Sequence, residues 1–172
     1  ANFLQLFAIG FDDDIERLMP EFSLRPRDEI EAILVEQRTR PESRVAQRTL
    51  ARELTAMLHG DDSADAAEQA ADVLFGANPI SASPEALQLI ASEVENSQMG
   101  IAALGDVVSV LVTTGLATSN SEARRLLAQH SVRANGEQLN EHSKLGEIPL
   151  LHGRWLLLRK GKTVHHLLDF AP

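Results

Sequence analysis

Apolar residues recur every three or four positions through the first part of the 172-residue chain. Ile30, Ile33 and Leu34, for example, fall on one side of a helix predicted over residues 28–37. Further segments with the same period are separated by glycines and prolines, which end or open helices. Residues 1–77 are therefore predicted to form an α-helical domain.

Prolines, glycines and capping residues give the expected helix boundaries in this part of the chain. The predicted segments are a short apolar stretch at 2–9, a helix capped by residues 12–14 that ends before Pro20, a helix from Pro41 to His59, and an Ala-rich helix that Ser63 opens and Gly76 closes. Residues 78–105 are predicted as a linker region with one helix, from Glu85 to about Glu95, and with a plain linker over 96–105.

The pattern changes in the last third of the chain. A short helix rich in Val and Leu is predicted over 106–114, and the Ser-x-x-Glu spacing of Ser119 and Glu122 opens another over 120–130. Asn-Gly at 135–136 predicts a β-hairpin, and Lys-Gly-Lys at 160–162 predicts a second one. The predicted fold class is α+β: an N-terminal α-helical domain, then a small α+β domain with two helices and short β-hairpins over 106–172.

Charge divides the chain in the same way. Residues 1–105 carry 8 Lys and Arg against 19 Asp and Glu, whereas residues 106–172 carry 8 against 6. The overall charge of −9 thus hides a basic last third. Because local potential steers a polyanion, this part can bind nucleic acid in an acidic chain. We expect a small basic module that binds structured RNA.

A row of arginines spaced by four marks the helix predicted from Pro41. Arg40, Arg44, Arg48 and Arg52 would form one ridge on such a helix. The ridge has two interpretations: a track that meets phosphates, or a solvated face with intramolecular salt bridges. On the first interpretation Arg44, Arg48 and Arg52 are candidate RNA-binding residues.

The stronger candidates for RNA contact lie in the last third, on the capped helix and at the two hairpins. They are Arg124, Arg125, Gln129, Arg133, Asn135, Arg159, Lys160 and Lys162. Guanidinium groups near a helix start can bind phosphates in a fork. Since no aromatic side chain lies among them, we expect them to bind the backbone and shape of a folded stem rather than stacked bases. The alternative is an ordinary charged surface.

Several other kinds of site find no support in the sequence. The chain has no cysteine, and its six histidines show no metal spacing. Gly161-Lys162-Thr163 resembles the end of a phosphate-binding P-loop, but Leu156 stands where that motif needs glycine. No run of about 18 apolar residues predicts a membrane span. We expect neither catalytic nor metal-binding residues, and no membrane partner.

Three short motifs carry a family resemblance in the last third. They are Gly-Leu-Ala-x-Ser at 115–119, Ser-Glu-Ala-Arg-Arg-Leu-Leu at 121–127, and Val-x-x-Asn-Gly-Glu at 132–137. This part resembles an S4 RNA-binding domain. The segments 3–7, 45–60 and 71–76 resemble the helical anticodon-binding domain of bacterial tyrosyl-tRNA synthetases. The family often has Gly-Gly where this chain has His130-Ser131.

The resemblance implies a function for the chain. It implies the tRNA-binding C-terminal portion of a tyrosyl-tRNA synthetase, which positions tRNA(Tyr) for ATP-dependent tyrosylation. ATP and tyrosine would bind an N-terminal catalytic domain absent from this chain, so the chain would need no cofactor and would not be catalytic by itself. It implies a cytoplasmic, homodimeric parent enzyme, with this portion a monomer. The first residue is not Met, which indicates a cut or processed chain.

Two other functions stay open at this point. The chain could be a stand-alone S4-type RNA-binding protein, such as a ribosome-associated factor. It could also be a helical protein-interaction module whose arginine ridge pairs with an acidic partner.

Overall fold

The computed structural model describes residues 14–100 and 104–170. They form two compact units, divided after Ala71, which we call the helical unit and the sheet unit. Together they contain seven α-helices and one five-stranded sheet, so the predicted α+β class is confirmed. The apolar segment predicted at 2–9 lies outside the described residues.

The helical unit contains α1 (Ile15–Phe22), α2 (Arg27–Thr39) and α3 (Val45–His59), followed by α4 (Asp61–Leu74), which passes the division into the sheet unit. A buried apolar cluster joins the first three helices: Ile15, Met19, Ile30, Leu34, Ala46 and Leu50. The 3.6-residue period predicted this arrangement for α2, where Ile30 and Leu34 are buried.

Two helix boundaries differ from the predictions. α1 continues through Pro20 to Phe22 instead of ending before the proline, and the amide of Ser23 still bonds to the Met19 carbonyl at 2.9 Å. α4 begins at Asp61, so Ser63 lies inside the first turn and donates to the carbonyl of His59. A single residue, Pro20 in one case and Ser63 in the other, therefore did not fix where the helix ends or begins.

The helix predicted from Pro41 to His59 is two elements. A 3-10 turn covers Pro41–Ser43, and Arg44 then takes a left-handed conformation with φ of 50° before α3 begins at Val45. The buried Gln37 accounts for the break, since its amide donates to the carbonyl of Pro41 and accepts from the amide of Ala46. One of the unpaired donors at the start of α3 is thereby satisfied by a side chain of α2.

The sheet unit adds α5 (Pro84–Glu93), α6 (Val107–Thr113) and α7 (Asn120–Ala128) to five strands. The strands are β1 (Glu95–Gln98), β2 (Val132–Ala134), β3 (Glu137–Gln138), β4 (Trp155–Lys160) and β5 (Val164–Asp169). Their order in the sheet is β1-β5-β4-β2-β3. β1 runs parallel to β5, and the other pairs are antiparallel.

The segment predicted as a plain linker after the helix of residues 84–93 contains β1. Its residues Glu95, Asn96, Ser97 and Gln98 pair in register with His166 to Asp169 of β5. The segment is polar and shows no alternation, so its strand character comes from the hydrogen-bonding edge of β5 and not from its own sequence. The two predicted hairpins, β2–β3 and β4–β5, are both present.

The core of the sheet unit lies between one face of the sheet and the helices α6 and α7. Leu111 and Leu127 of the helices and Leu156 and Leu158 of β4 are fully buried there. Alternation along β4 then turns Arg159 to the opposite face. None of the helices in the described residues is long and apolar enough to cross a membrane.

Candidate nucleic-acid interface

Helix α7 presents its arginines to solvent because its other side is committed to the core. Ala123, Leu126 and Leu127 are buried, whereas Arg124 and Arg125 are exposed. Gln129, just after the helix, is exposed as well. The binary pattern of the sequence therefore predicted the orientation of these three candidates correctly.

The start of α7 is fixed by two caps. The Ser119 hydroxyl accepts from the Glu122 amide at 3.2 Å, and the Glu122 carboxylate accepts from the amide of Thr118 at 2.8 Å and from its hydroxyl. The hydrogen bonds from Thr118, with Lys160 and Arg125 nearby, lower the pKa of Glu122. This carboxylate thus stays ionised and holds the helix start in place.

The cations of α7 have little opposing charge. Within the described residues Arg124 makes no ion pair, and the closest approach of Arg125 to a carboxylate is 4.0 Å, to Glu122. Two guanidinium groups that are adjacent in sequence therefore face solvent in the second half of α7. Such a pair is suited to phosphate oxygens, which accept forked hydrogen bonds.

The turn after α7 departs from the Gly-Gly that the resembling family often has. His130 nevertheless adopts φ of 53°, the left-handed region that glycine enters most easily. The amide and hydroxyl of Ser131 both bond to the carbonyl of Leu126, at 3.1 and 2.9 Å. These bonds close the helix and direct the chain into β2.

Arg133 and Arg159 are cross-strand neighbours on the sheet face opposite the core of α6 and α7. Both are half-buried, and Arg133 donates from Nη1 to the carbonyl of Gly136 at 2.9 Å. His165 is the next residue in this row, paired with Arg159 across β4 and β5. Sequence spacing did not predict His165 as a site residue, because the row exists only once three strands are aligned.

The two lysines of the β4–β5 hairpin differ in surroundings. Lys160 is half-buried and donates from Nζ to the carbonyl of Leu116 at 2.7 Å. Lys162 is exposed beside Gly161 at the tip. Both remain close to the predicted RNA surface, but only Lys162 presents its whole ammonium group to solvent.

Asn135 has a structural role that the predicted site did not anticipate. Its side chain is 3% exposed; Nδ2 donates to the carbonyl of Pro149, and Oδ1 accepts from the amide of Leu157, both at 2.8 Å. With Gly136 it forms the tight turn, both residues having positive φ. A buried side chain with both ends bonded has no surface left for RNA, so the geometry is at odds with the predicted contact.

The arginine ridge predicted in the helical unit is not continuous. Arg40 precedes the 3-10 turn and Arg44 precedes α3, so only Arg48 and Arg52 lie on that helix. Arg48 pairs with Glu68 at 3.0 Å, and Arg52 pairs with Asp65 and Glu68. The acids come from α4, which sequence spacing within one helix could not reveal. The salt-bridge interpretation describes these two residues.

A cavity of about 310 Å³ lies in the sheet unit behind the two half-buried arginines. Arg133, Arg159 and His165 line it from the strands, and Gly76 and Asn78 line it from the segment between α4 and α5. His165 is 7% exposed and its burial lowers its pKa, as does the nearby Arg159. Within the described residues no group of three His, Asp or Glu side chains is placed to hold a metal ion.

The fold and this surface define the class: an α+β chain whose last part presents a helix and a hairpin with solvent-facing cations, as nucleic-acid-binding domains do. Residues 86–168 match the tyrosine–tRNA ligase SYY-like C-terminal domain. Tyrosine–tRNA ligase of Corynebacterium efficiens is 34% identical over 163 residues, covering 94% of this chain and 39% of the relative. That of Thermobifida fusca is 36% identical, covering 93% and 38%.

A third relative, tyrosine–tRNA ligase of Anaeromyxobacter dehalogenans, is 36% identical over 172 residues and is covered to 41%. The chain therefore belongs to the tyrosine–tRNA ligase family, in which it corresponds to a C-terminal part. It spans about two fifths of the length of these curated relatives.

Proposed function

We propose that this chain binds tRNA(Tyr) and positions it for ATP-dependent tyrosylation by a catalytic domain N-terminal to it. The observation that carries the proposal is the set of solvent-facing cations at α7 and the β4–β5 hairpin, Arg124, Arg125 and Lys162, which have little opposing charge among the described residues, in a chain of this family. The chain contributes binding energy and orientation, and the bond-forming steps take place elsewhere in the parent enzyme.

The electrostatics support a phosphate-binding role for the sheet unit. Arg124 and Arg125 lie on a capped helix, so little backbone freedom is lost when they meet RNA. The absence of aromatic residues among the candidate contacts favours backbone and shape recognition of a stem. With about 4 to 6 phosphates contacted, the association constant should fall steeply as salt is raised.

The catalytic functions belong to the proposal as well. ATP and tyrosine would bind the catalytic domain of the parent enzyme, and this chain would hold neither. The parent would be a cytoplasmic homodimer through that domain, whereas the 172-residue chain would be a monomer. Arg48 and Arg52 would contribute less to tRNA binding than the α7 pair, because their charges are offset within the helical unit.

The test compares two double variants that remove the same charge. The double variant Arg124→Ala and Arg125→Ala is expected to bind tRNA(Tyr) about tenfold or more weakly. The slope of the logarithm of the association constant against the logarithm of the salt concentration should become shallower by about 1 to 2. Arg17→Ala with Arg27→Ala, on the helical unit, serves as the matched control and should change affinity less than about twofold. Filter binding from low to moderate salt measures both.

Equal losses for the two double variants would mean that net charge drives binding, and not the surface that Arg124 and Arg125 form, which we call the α7 surface. Lack of any salt-dependent tRNA binding by the unmodified chain would contradict the proposal outright. Circular dichroism of each variant confirms that the helices remain folded. Competition with a tRNA of another specificity then measures how much of the affinity is particular to tRNA(Tyr).

A further inference from the structure

The cavity on the sheet face opposite α6 and α7 has an excess of positive charge. Arg133 and Arg159 both line it, and no carboxylate is among the lining residues. Within the described residues the Arg159 guanidinium makes no hydrogen bond or ion pair, and the Arg133 guanidinium donates only to the carbonyl of Gly136. Two neighbouring guanidinium groups that are half withdrawn from water repel each other unless an anion lies between them.

Two glycines allow the segment between α4 and α5 to lie close to the strands on the other side of the cavity. A Cβ at Gly76 would come within 3.2 Å of Arg159 Nη1, and a Cβ at Gly136 would come equally close to Asn78 Oδ1. The backbone at Gly76 therefore lies directly against the side chain of Arg159, and the backbone at Gly136 lies directly against the side chain of Asn78. Asn78 uses Oδ1 to cap the turn at Ile80, which leaves its amide nitrogen for another acceptor.

His165 supplies a second polar observation, independent of the arginines. Its Nδ1 lies 3.1 Å from the carbonyl oxygen of Thr163, and because a carbonyl only accepts, Nδ1 carries the hydrogen. In the neutral ring Nε2 is then a bare acceptor, and it is buried without a hydrogen-bond partner in the described residues. A buried acceptor of this kind calls for a hydroxyl or N–H donor.

The phosphodiester of a nucleic-acid backbone would satisfy the arginines but has no O–H to donate to His165. A ribonucleotide offers both groups, since its 2′-hydroxyl lies next to the 3′-phosphate and can donate a hydrogen bond. The cavity volume of about 310 Å³ falls at the lower end of the range for small-ligand pockets. A single nucleotide unit is therefore a suitable occupant in size and chemistry.

We propose that this cavity binds one ribonucleotide unit of RNA, with the phosphate at Arg133 and Arg159 and the 2′-hydroxyl donating to His165. The site rests on the proposed function, because it takes its ligand from the RNA bound by the sheet unit. It differs from the α7 surface in that it is concave, half-buried and selective for RNA over DNA.

Small probes test the cavity without any tRNA. The 172-residue chain, labelled with nitrogen-15, is titrated separately with inorganic phosphate, adenosine 3′-monophosphate and its 2′-deoxy analogue. We expect amide shifts concentrated at Gly76, Gly136 and the neighbours of His165, and affinity about threefold to tenfold higher for the ribonucleotide than for the deoxy form. Shifts spread evenly over all basic residues would overturn the proposal, as would equal affinity for the two nucleotides.

Asn78→Asp is the sharpest variant because it keeps the capping oxygen and adds one negative charge to the cavity wall. It should weaken adenosine 3′-monophosphate binding by about tenfold and tRNA binding by about threefold or more. Asn140→Asp is the matched control: Asn140 caps an exposed turn through Oδ1 and lies outside the cavity lining. It should leave both affinities within about twofold.

The two proposals can fail separately. If tRNA binding is strong, depends on Arg124 and Arg125, and is unchanged by Asn78→Asp, the cavity proposal is wrong and the proposed function stands. If no tRNA binds at any salt concentration, the proposed function fails, and the nucleotide titration alone decides whether the cavity is a ribonucleotide site. When inorganic phosphate is added to the complex with tRNA, the amide shifts of Gly76 and Gly136 show whether free phosphate or a phosphate of the tRNA occupies the cavity.

Discussion

The helical unit and the sheet unit use their arginines in opposite ways. In the helical unit six arginines form ion pairs within the described residues: Arg17, Arg25, Arg38, Arg40, Arg48 and Arg52. In the sheet unit Arg154 is held by both oxygens of Asp169, at 2.7 and 2.8 Å. Among the described residues Arg124, Arg133 and Arg159 have no carboxylate partner. Arginine spacing alone therefore does not identify a phosphate-binding surface; the carboxylates that other elements bring near decide it.

Both units also bury uncharged polar groups. The sheet unit buries Asn135, His165 and His166, and the first of these joins the β2–β3 turn to β4 by two hydrogen bonds. The helical unit buries the amide of Gln37 at the break before α3. Three expected outcomes separate groups that hold the fold from groups that are free to bind.

Asn135→Ala should produce the largest loss of stability. It leaves the Pro149 carbonyl and the Leu157 amide without their bonds inside the protein, and it places alanine at φ of 47°. We expect about 3 kcal/mol less free energy of unfolding, measured by urea denaturation with Trp155 fluorescence. The matched change Asn140→Ala, in an exposed turn, should cost under about 1 kcal/mol. If the variant is instead as stable as the unmodified chain but binds tRNA more weakly, Asn135 belongs to the RNA-binding surface.

Acidification from pH 7.5 to 5.5 should have the next largest effect, and on the sheet unit. Burial lowers the pKa of both His165 and His166, although Glu95 partly opposes this for His166. Below the unfolded pKa of about 6.5 the unfolded chain binds protons that the folded chain does not, so stability falls as pH falls. Each histidine contributes at most about 1.4 kcal/mol per pH unit.

Trp155 fluorescence during urea unfolding follows this loss, because the chain has a single tryptophan and it lies in β4. The pKa of Glu122 is lowered from 4.5, so its own contribution is lost only at more acidic pH. His166→Gln should flatten the slope between pH 5.5 and 7.5. A slope that His166→Gln leaves intact would show that other groups titrate in this range.

Glu68→Gln should have the smallest effect and tests the helical unit directly. The Glu68 carboxylate pairs with both Arg48 and Arg52, so its removal leaves two arginines with less opposing charge. Stability should drop by roughly 0.5 kcal/mol, and tRNA affinity should rise less than about threefold at low salt. A rise above tenfold in filter binding would mean that the helical unit holds a latent RNA surface, and the contrast between the units would fail.

Local features of this fold were predictable from the sequence. The Ser119 cap needs only Glu122 three residues on, and the Asn135-Gly136 turn needs only two adjacent residues that tolerate positive φ. Both are present as expected. The orientation of Arg124 and Arg125 followed as well, because the apolar residues of α7 fix which side is buried.

Features that depend on distant partners were not predictable. The break at Arg44 requires Gln37 of the preceding helix, and the pairing of Arg48 requires Glu68 of the following one. The cavity requires Asn78 to lie opposite three strands that come more than 50 residues later. No periodicity within one segment carries that information, which is why spacing left two interpretations of the ridge open and why Asn135 is a candidate RNA contact on sequence alone.

The polar strand β1 has a practical consequence for anyone who divides this chain. β5 is rich in apolar residues and is flanked by β4 on one side and β1 on the other. An excised fragment that begins at residue 106, where the change in charge suggests a boundary, would omit β1 and leave that margin of the sheet open to pairing between molecules. A fragment that begins at residue 72 keeps β1 paired with β5, so it should be more soluble than the fragment that begins at residue 106.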